Sequence, residues 1–151
     1  MMRHAAAITL CALLAIGQAP AGEGTAANAQ KPQADQDKPS QLAKDLIGTW
    51  ALAGTPDNVV EPPADGGRLK LIAGGHWSVT QYDPQTGKVI YHHGGTYTID
   101  GDTYAETVKY ATESTAELVG QTFKFKVKVE GDKYTQIGVG NDFNEVWKRA
   151  K

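Results

Sequence analysis

The residues of this 151-residue chain that are best suited to chemistry lie in its second half and centre on one carboxylate. The segment Thr103–Tyr110 alternates between a small polar face and a larger, more apolar face made of Tyr104, Glu106, Val108 and Tyr110. Because the apolar face favours burial, we expect Glu106 to point inward among tyrosine and valine side chains. There it could bind a cation or a ligand hydroxyl, or act as a general acid. The simpler alternative is an ion pair with Arg68 or with a lysine.

Aromatic residues surround the same part of the chain. Trp77, Tyr82, Tyr91 and Tyr97 flank neighbouring predicted turns. Aromatic rings at the mouth of a cavity can stack on a flat apolar ligand, although they more often fill a core. The predicted ligand-binding set is Trp77, Tyr82, Tyr97, Tyr104, Glu106 and Tyr110.

The histidines and the known motifs give little support for catalysis or metal binding. Adjacent residues on a regular strand point to opposite faces, so His92 and His93 share a site only if a bulge at Gly94 intervenes, with His76 joining from the neighbouring hairpin. The chain has no Gly-x-Ser-x-Gly motif and no glycine-rich phosphate loop. We therefore predict no catalytic residue, no metal and no cofactor, and we favour a non-enzymatic role.

The first 29 residues are typical of a secretory signal peptide. A basic start at Met1–His4 precedes the apolar run Ala5–Ile16, which is shorter than the roughly 20 residues that span a bilayer as a helix. Sites with small residues two apart allow cleavage after Ala21 or Ala29. We expect a periplasmic or secreted protein with no stable membrane anchor after cleavage; an uncut N-terminal anchor is the alternative.

Composition limits what the mature chain can do. Cleavage removes Cys11, the only cysteine, so stability must come from a packed core and not from disulfides. The polar segment Gln30–Gln41 cannot bury enough surface to fold, which predicts a flexible tether and a folded domain over 42–151. A formal net charge of -2 argues against nucleic acid as the main partner.

Short strands dominate the predicted domain. In Thr122–Glu130, phenylalanine and valine alternate with lysine and glutamate, a period of two that indicates a strand with one buried face. Gly74-Gly75 predicts a tight hairpin, Asp83–Gly87 a turn and Gly94-Gly95 a bulge or sharp bend. The other predicted strands are Ile47–Ala53, Arg68–Ala73, His76–Tyr82, Val89–His93, Thr96–Ile99, Thr103–Tyr110, Lys133–Gly138 and Asn144–Ala150.

This succession predicts an all-β fold. Hairpin-length connections between neighbouring strands favour a small antiparallel up-and-down β-barrel of 8–10 strands over a β-sandwich. Helical turns are predicted at Ser40–Leu46, before the first strand, and at Ser114–Val119.

The two ends of the domain carry a family resemblance. Gly48-Thr49-Trp50 begins the first strand and Trp147-Lys148-Arg149 ends the last, which resembles the lipocalin or calycin pattern. The resemblance implies that Gly48 and Trp50 lie at the closed end of the barrel and that Arg149 packs across the indole, a contact of about 0.5–2 kcal/mol. Further segments resemble secreted bacterial lipocalin-like proteins of unassigned function: Gly74–Trp77, Gln81–Pro84, Gly95–Gly101, Leu118–Phe123 and Glu145–Arg149.

The chain departs from secreted animal lipocalins in being shorter, in having no disulfide and in lacking their second and third motifs. The resemblance implies a protein that binds a small apolar or amphipathic ligand in its barrel, and we expect a monomer or weak dimer. Two alternatives remain: a calycin-fold enzyme that uses Glu106 and a nearby tyrosine for acid–base chemistry, and a non-catalytic envelope subunit with a filled barrel.

Overall fold

The computed structural model describes residues 39–64 and 67–150. The predicted signal peptide and residues 30–38 of the predicted tether lie outside the described residues. Helix α1 begins at Gln41, the last residue of that tether, and Ser40 caps it by accepting a hydrogen bond from the Ala43 amide. No helix in the described part of the chain is long and apolar enough to cross a membrane.

The described elements are one short α-helix, nine strands and one 3₁₀ segment. In chain order they are α1 (Gln41–Leu46), β1 (Gly48–Thr55), β2 (Asn58–Val59), β3 (Arg68–Ala73), β4 (His76–Tyr82), β5 (Val89–Asp100), β6 (Thr103–Ala111), the 3₁₀ segment (Glu113–Leu118), β7 (Thr122–Glu130), β8 (Lys133–Val139) and β9 (Glu145–Arg149).

Antiparallel pairing closes the sheet into a barrel. From β3 to β9 each strand pairs with the next along the chain, and β1 pairs with both β3 and β9. Within the described residues the barrel therefore has eight strands, while the two-residue strand β2 forms a side hairpin with β1. The prediction of a small up-and-down barrel with a short N-terminal helix is confirmed.

The strand faces follow simple physical rules. On β7, Phe125 and Val127 are buried while the lysines between them are exposed. Between β3 and β4, Gly74 and Gly75 have φ of +56° and +81°. A two-residue hairpin turn requires this left-handed backbone, which costs glycine little. The turn consequently fixes which residues of the two strands share a face.

A bulge interrupts the pairing of β5 and β6. Gly94 lies opposite Tyr110 and Gly95 opposite Val108, so Lys109 is the extra residue. The bulge expected at these glycines is confirmed, although β5 continues through it as a single strand of 12 residues. It also corrects one prediction: Tyr110 does not point inward, because the extra residue shifts the alternation and leaves its side chain 46 % exposed.

The two ends of the barrel differ. At one end, where β1 begins and β9 ends, the Trp50 indole is fully buried and donates a hydrogen bond of 2.9 Å to the Leu46 carbonyl. Arg149 lies over that indole with Cζ 4.2 Å from the ring centroid, and donates to the carbonyls of Ile47 and Asp45. At the other end, where β6 ends and β7 begins, the 3₁₀ segment packs against β5 and β6.

Candidate functional site

A cavity of about 260 Å³ lies inside the barrel toward the end that carries the 3₁₀ segment. Its apolar wall comes mostly from aromatic side chains, and its polar wall from charged and hydrogen-bonding groups. The apolar lining residues are Trp77, Val79, Tyr91, Val108, Leu118, Phe123, Phe125, Phe143 and Trp147. The polar lining residues are Arg68, Lys70, His93, Glu106, Thr115, Gln136 and Glu145.

Lys70 is the central polar residue of this wall. It projects inward from β3, is only 2 % exposed, and places Nζ 2.5 Å from Oε1 of Glu106. It also donates a hydrogen bond of 2.8 Å to Oε1 of Gln136. Five rings have their centroids 5.5–5.8 Å from Nζ, those of Trp77, Tyr104, Phe125, Tyr134 and Trp147. Since aromatic faces attract cations, the rings and the carboxylate together replace the water that the ammonium loses on burial.

Hydrogen bonds extend from Lys70 along the wall. Gln136 accepts at Oε1 from the buried Tyr134 hydroxyl and donates from Nε2 to Glu145 at 2.7 Å. Glu145 in turn lies 3.5 Å from NH1 of Arg68, whose Nε and NH2 donate to Gln81. Burial raises the pKa of Glu145, while the nearby cations act in the opposite direction. The cavity wall therefore contains two basic side chains, Lys70 and Arg68, each beside a carboxyl group.

His93 faces the cavity from β5. Its ring stacks on Tyr91 at 5.4 Å and meets Trp77 edge-on at 5.7 Å. Burial, and to a lesser extent the charges of His92 and Lys70, lowers its pKa from 6.5 to about 4. The imidazole is therefore neutral at neutral pH, where it can both donate and accept a hydrogen bond.

The predicted ligand-binding residues fall into three groups in the structure. Trp77 and Glu106 line the cavity. Tyr104 lies fully buried against Tyr97 at 5.2 Å, and neither ring lines the cavity; burial raises the pKa of Tyr104 well above its usual value. Tyr82 also does not line it, and Tyr110 lies outside the barrel, stacked on His92 at 5.5 Å. A ligand-binding role stays a prediction for Trp77, Glu106, Tyr104, Tyr97 and Tyr82.

Sequence reasoning missed several polar residues of this wall, above all Lys70, Gln136 and Glu145. The turn at Gly74-Gly75 contained a signal for Lys70, because a two-residue hairpin places it opposite Val79 on the same face as Trp77. Gln136 and Glu145 lie directly opposite each other on β8 and β9, which only the pairing of those strands reveals.

The histidines do not converge. His92 lies on the opposite face of β5 from His93, where its Nδ1 is 2.7 Å from the hydroxyl of Thr80. His76 is exposed at the other end of the barrel, within the hairpin of Gly74. Among residues 39–64 and 67–150, no group of three or more histidine, cysteine, aspartate or glutamate side chains is placed to hold a metal ion.

A closed antiparallel barrel, plugged at one end by a tryptophan and containing a cavity toward the other, is a lipocalin-like architecture. The chain is similar in structure to a lipocalin-like protein from Bacteroides uniformis, with a TM-score of 0.50 and 16 % sequence identity over 70 % of this chain and 98 % of that one. An uncharacterized protein from Bacteroides eggerthii matches with a TM-score of 0.46 and 15 % identity, over 69 % and 98 % of the two chains.

No protein-family model matches the chain, and none of the curated protein sequences matches it. The structural likeness therefore establishes a lipocalin-like barrel fold and leaves the ligand to be argued from the cavity itself.

Proposed function

We propose that this protein binds a small, mainly apolar molecule inside its barrel. The observation that carries the proposal is the cavity of about 260 Å³. It has aromatic walls and a polar wall whose charged and amide side chains bond to one another. Concave, mostly apolar sites with a few fixed polar groups are the usual form of small-molecule sites. The signal-like N-terminus supports action in the periplasm or outside the cell.

The volume limits the size of the ligand. An apolar cavity of about 150 Å³ accommodates benzene. On that scale, a cavity of about 260 Å³ holds a molecule of about ten non-hydrogen atoms, such as two fused rings. Long-chain lipids exceed this space unless part of the molecule extends through the mouth.

The two alternatives receive less support. Glu106 is compensated by Lys70 at 2.5 Å, so the carboxylate is engaged in a structural ion pair and is not available as a free acid or base. A barrel filled with side chains is inconsistent with the cavity. Binding without catalysis is the simpler account of the geometry.

Naphthalene is a suitable first probe because it has about ten non-hydrogen atoms. Isothermal titration calorimetry of the full chain is expected to show one binding site. Trp77 and Trp147 line the cavity and Trp50 does not, so binding should also change tryptophan fluorescence in a Trp50→Phe variant. Native mass spectrometry of the purified protein tests for a co-purified ligand.

A pair of variants tests whether the ligand binds in the cavity. Val108 is 1 % exposed and lines the cavity, so Val108→Phe fills part of it and is expected to weaken naphthalene binding at least tenfold. Ile137→Phe makes the same kind of enlargement on the outer surface, where the side chain is 40 % exposed, and is expected to leave binding unchanged. Equal affinities for both variants, or no binding by the wild-type protein, would contradict the proposal.

A further inference from the structure

We infer that the ligand is uncharged and that one hydroxyl or carbonyl group of it bonds to His93 and Thr115. This inference rests on the proposed function and specifies the chemical class of the molecule that the cavity holds. It follows from which polar groups of the wall already have partners and which do not.

The charged groups of the wall are matched within the protein. Lys70 is held by Glu106 and Gln136, and Arg68 by Glu145 and Gln81. An ionic ligand has to break one of these pairs or remain buried without a counter-ion, and either outcome costs much of the binding energy. The arrangement therefore disfavours anions and cations alike.

Outside the Lys70–Glu106 ion pair, three lining residues have a buried polar side-chain atom without a hydrogen-bond partner in the described part of the chain. One of them, Trp147, lies beside Glu145, where it opposes the rise in that carboxyl's pKa caused by burial. The other two are His93 and Thr115. Nδ1 of His93 and Oγ1 of Thr115 are buried without a hydrogen-bond partner in the part of the chain that the structure describes. Burying a polar atom without a partner is unfavourable, so both atoms gain if a bound molecule or water supplies the missing bond. Both belong to residues that line the cavity.

The segment that carries Thr115 is attached to the strand that carries His93. The 3₁₀ segment that carries Thr115 is attached to β5 through Thr112, whose amide donates to the His92 carbonyl at 2.7 Å and whose hydroxyl accepts from the His92 amide at 3.1 Å. Ser114 adds a bond to the Ile90 carbonyl. These contacts hold the segment beside the strand from which His93 projects inward.

Neutral imidazole and hydroxyl groups select neutral polar partners. His93 stays uncharged at neutral pH because burial lowers its pKa. Each of the two side chains can donate or accept one hydrogen bond, so a ligand hydroxyl or carbonyl satisfies them without introducing charge. The rings of Tyr91 and Trp77, which contact His93, provide the apolar surface beside this polar pair.

Four probes with the same ring system separate these contributions: naphthalene, naphthol, naphthoate and naphthylmethylammonium. Binding is measured by isothermal titration calorimetry on the full chain at neutral pH. We expect naphthol to bind about tenfold more tightly than naphthalene, because it adds hydrogen bonds to otherwise unpaired groups. The two ions are expected to bind at least tenfold more weakly than naphthol.

Variants assign the effect to the two residues. His93→Phe retains a ring and Thr115→Val retains the side-chain shape, so each is expected to remove most of the naphthol preference, measured within that variant as the ratio of its naphthol affinity to its naphthalene affinity. Matched controls are His92→Phe, on the other face of β5, and Thr98→Val, which is exposed; both should retain the preference.

The outcomes distinguish this inference from the proposed function. If naphthalene and naphthol bind equally, if an ion binds as tightly as naphthol, or if both cavity variants keep the preference, the inference is wrong and cavity binding stands. If none of the four probes binds, the proposed function fails, and the inference fails with it.

Discussion

The ion pair between Lys70 and Glu106 gives a quantitative test of the barrel interior. The two side chains are 3 % and 6 % exposed and their charged atoms are 2.5 Å apart. Removing one partner of a buried pair leaves an uncompensated charge and typically costs 3–5 kcal/mol. We expect Lys70→Met and Glu106→Gln each to lower the free energy of unfolding by about 4 kcal/mol, or the melting temperature by roughly 15–30 °C.

The double variant Lys70→Met/Glu106→Gln removes both charges together. Its cost should be well below the sum of the two single costs, because neither charge is left alone in the barrel. Tyr134 remains to donate to Gln136 in this variant, so that amide oxygen keeps a hydrogen bond. Urea unfolding of the four proteins, wild type included, measures the coupling between the two residues.

A surface pair provides the matched control. Lys126 and Asp102 have nearly the same separation, 2.6 Å, but their side chains are 55 % and 67 % exposed. Water already solvates these charges, so Lys126→Met should leave the free energy of unfolding almost unchanged. If Lys70→Met has an effect as small as Lys126→Met, or if the double variant costs the full sum, then the pair is not a desolvated interacting unit.

Three further predictions concern other parts of the barrel. In urea unfolding, Trp50→Ala should lower the free energy of unfolding by about 3–5 kcal/mol and Arg149→Met by about 0.5–2 kcal/mol. If Trp50→Ala has an effect no larger than that of the surface variant Lys126→Ala, the indole does not close the end of the barrel. The pKa of His93 is about 4 in the folded protein and 6.5 ordinarily, so its contribution to stability is complete above pH 6.5 and is lost as the pH falls toward 4. The melting temperature of His93→Phe should therefore fall less than that of the wild-type protein between pH 6.5 and pH 4. Parallel plots of melting temperature against pH for the two proteins would contradict the assignment. The charged and titratable groups around that imidazole are His92, Lys70, Arg68 and Glu117. Gly95→Ala should destabilise the barrel strongly in thermal melting, since a Cβ there overlaps the Thr107 carbonyl, and a wild-type melting temperature would show that the bulge tolerates a side chain.

Much of the fold was predictable because local patterns and turns agree. The bounds of β3, β4 and β7 follow from alternation and from glycine turns, and the structure has the same bounds. The bulge at Gly94-Gly95 was predictable as a break, but its effect on β6 was not. Alternation alone cannot show that the extra residue is Lys109 and that Tyr110 therefore faces outward.

The candidate site was less predictable because it depends on contacts between distant strands. Glu106 could be placed inward from its own strand, yet its partner comes from β3. The link from Gln136 to Glu145 requires the register of β8 against β9. Nothing local to Thr115 indicates that its hydroxyl is buried beside a cavity. Such a site can be located only when the pairing of all the strands is known.

Strand β3 shows how a local rule and the global fold conflict at this site. By polarity alone, Leu69 and Leu71 should face the interior and Lys70 the solvent, but Lys70 is buried and Leu71 is 46 % exposed. The two-residue turn pairs Lys70 with Val79 and Ile72 with Trp77, so burying the leucines would turn Trp77 and Val79 to solvent. The larger apolar gain on β4 decides the register, and the lysine enters the barrel as a consequence. Because a buried ammonium needs an anion, Glu106 and the surrounding rings are required by the same register that creates the cavity wall.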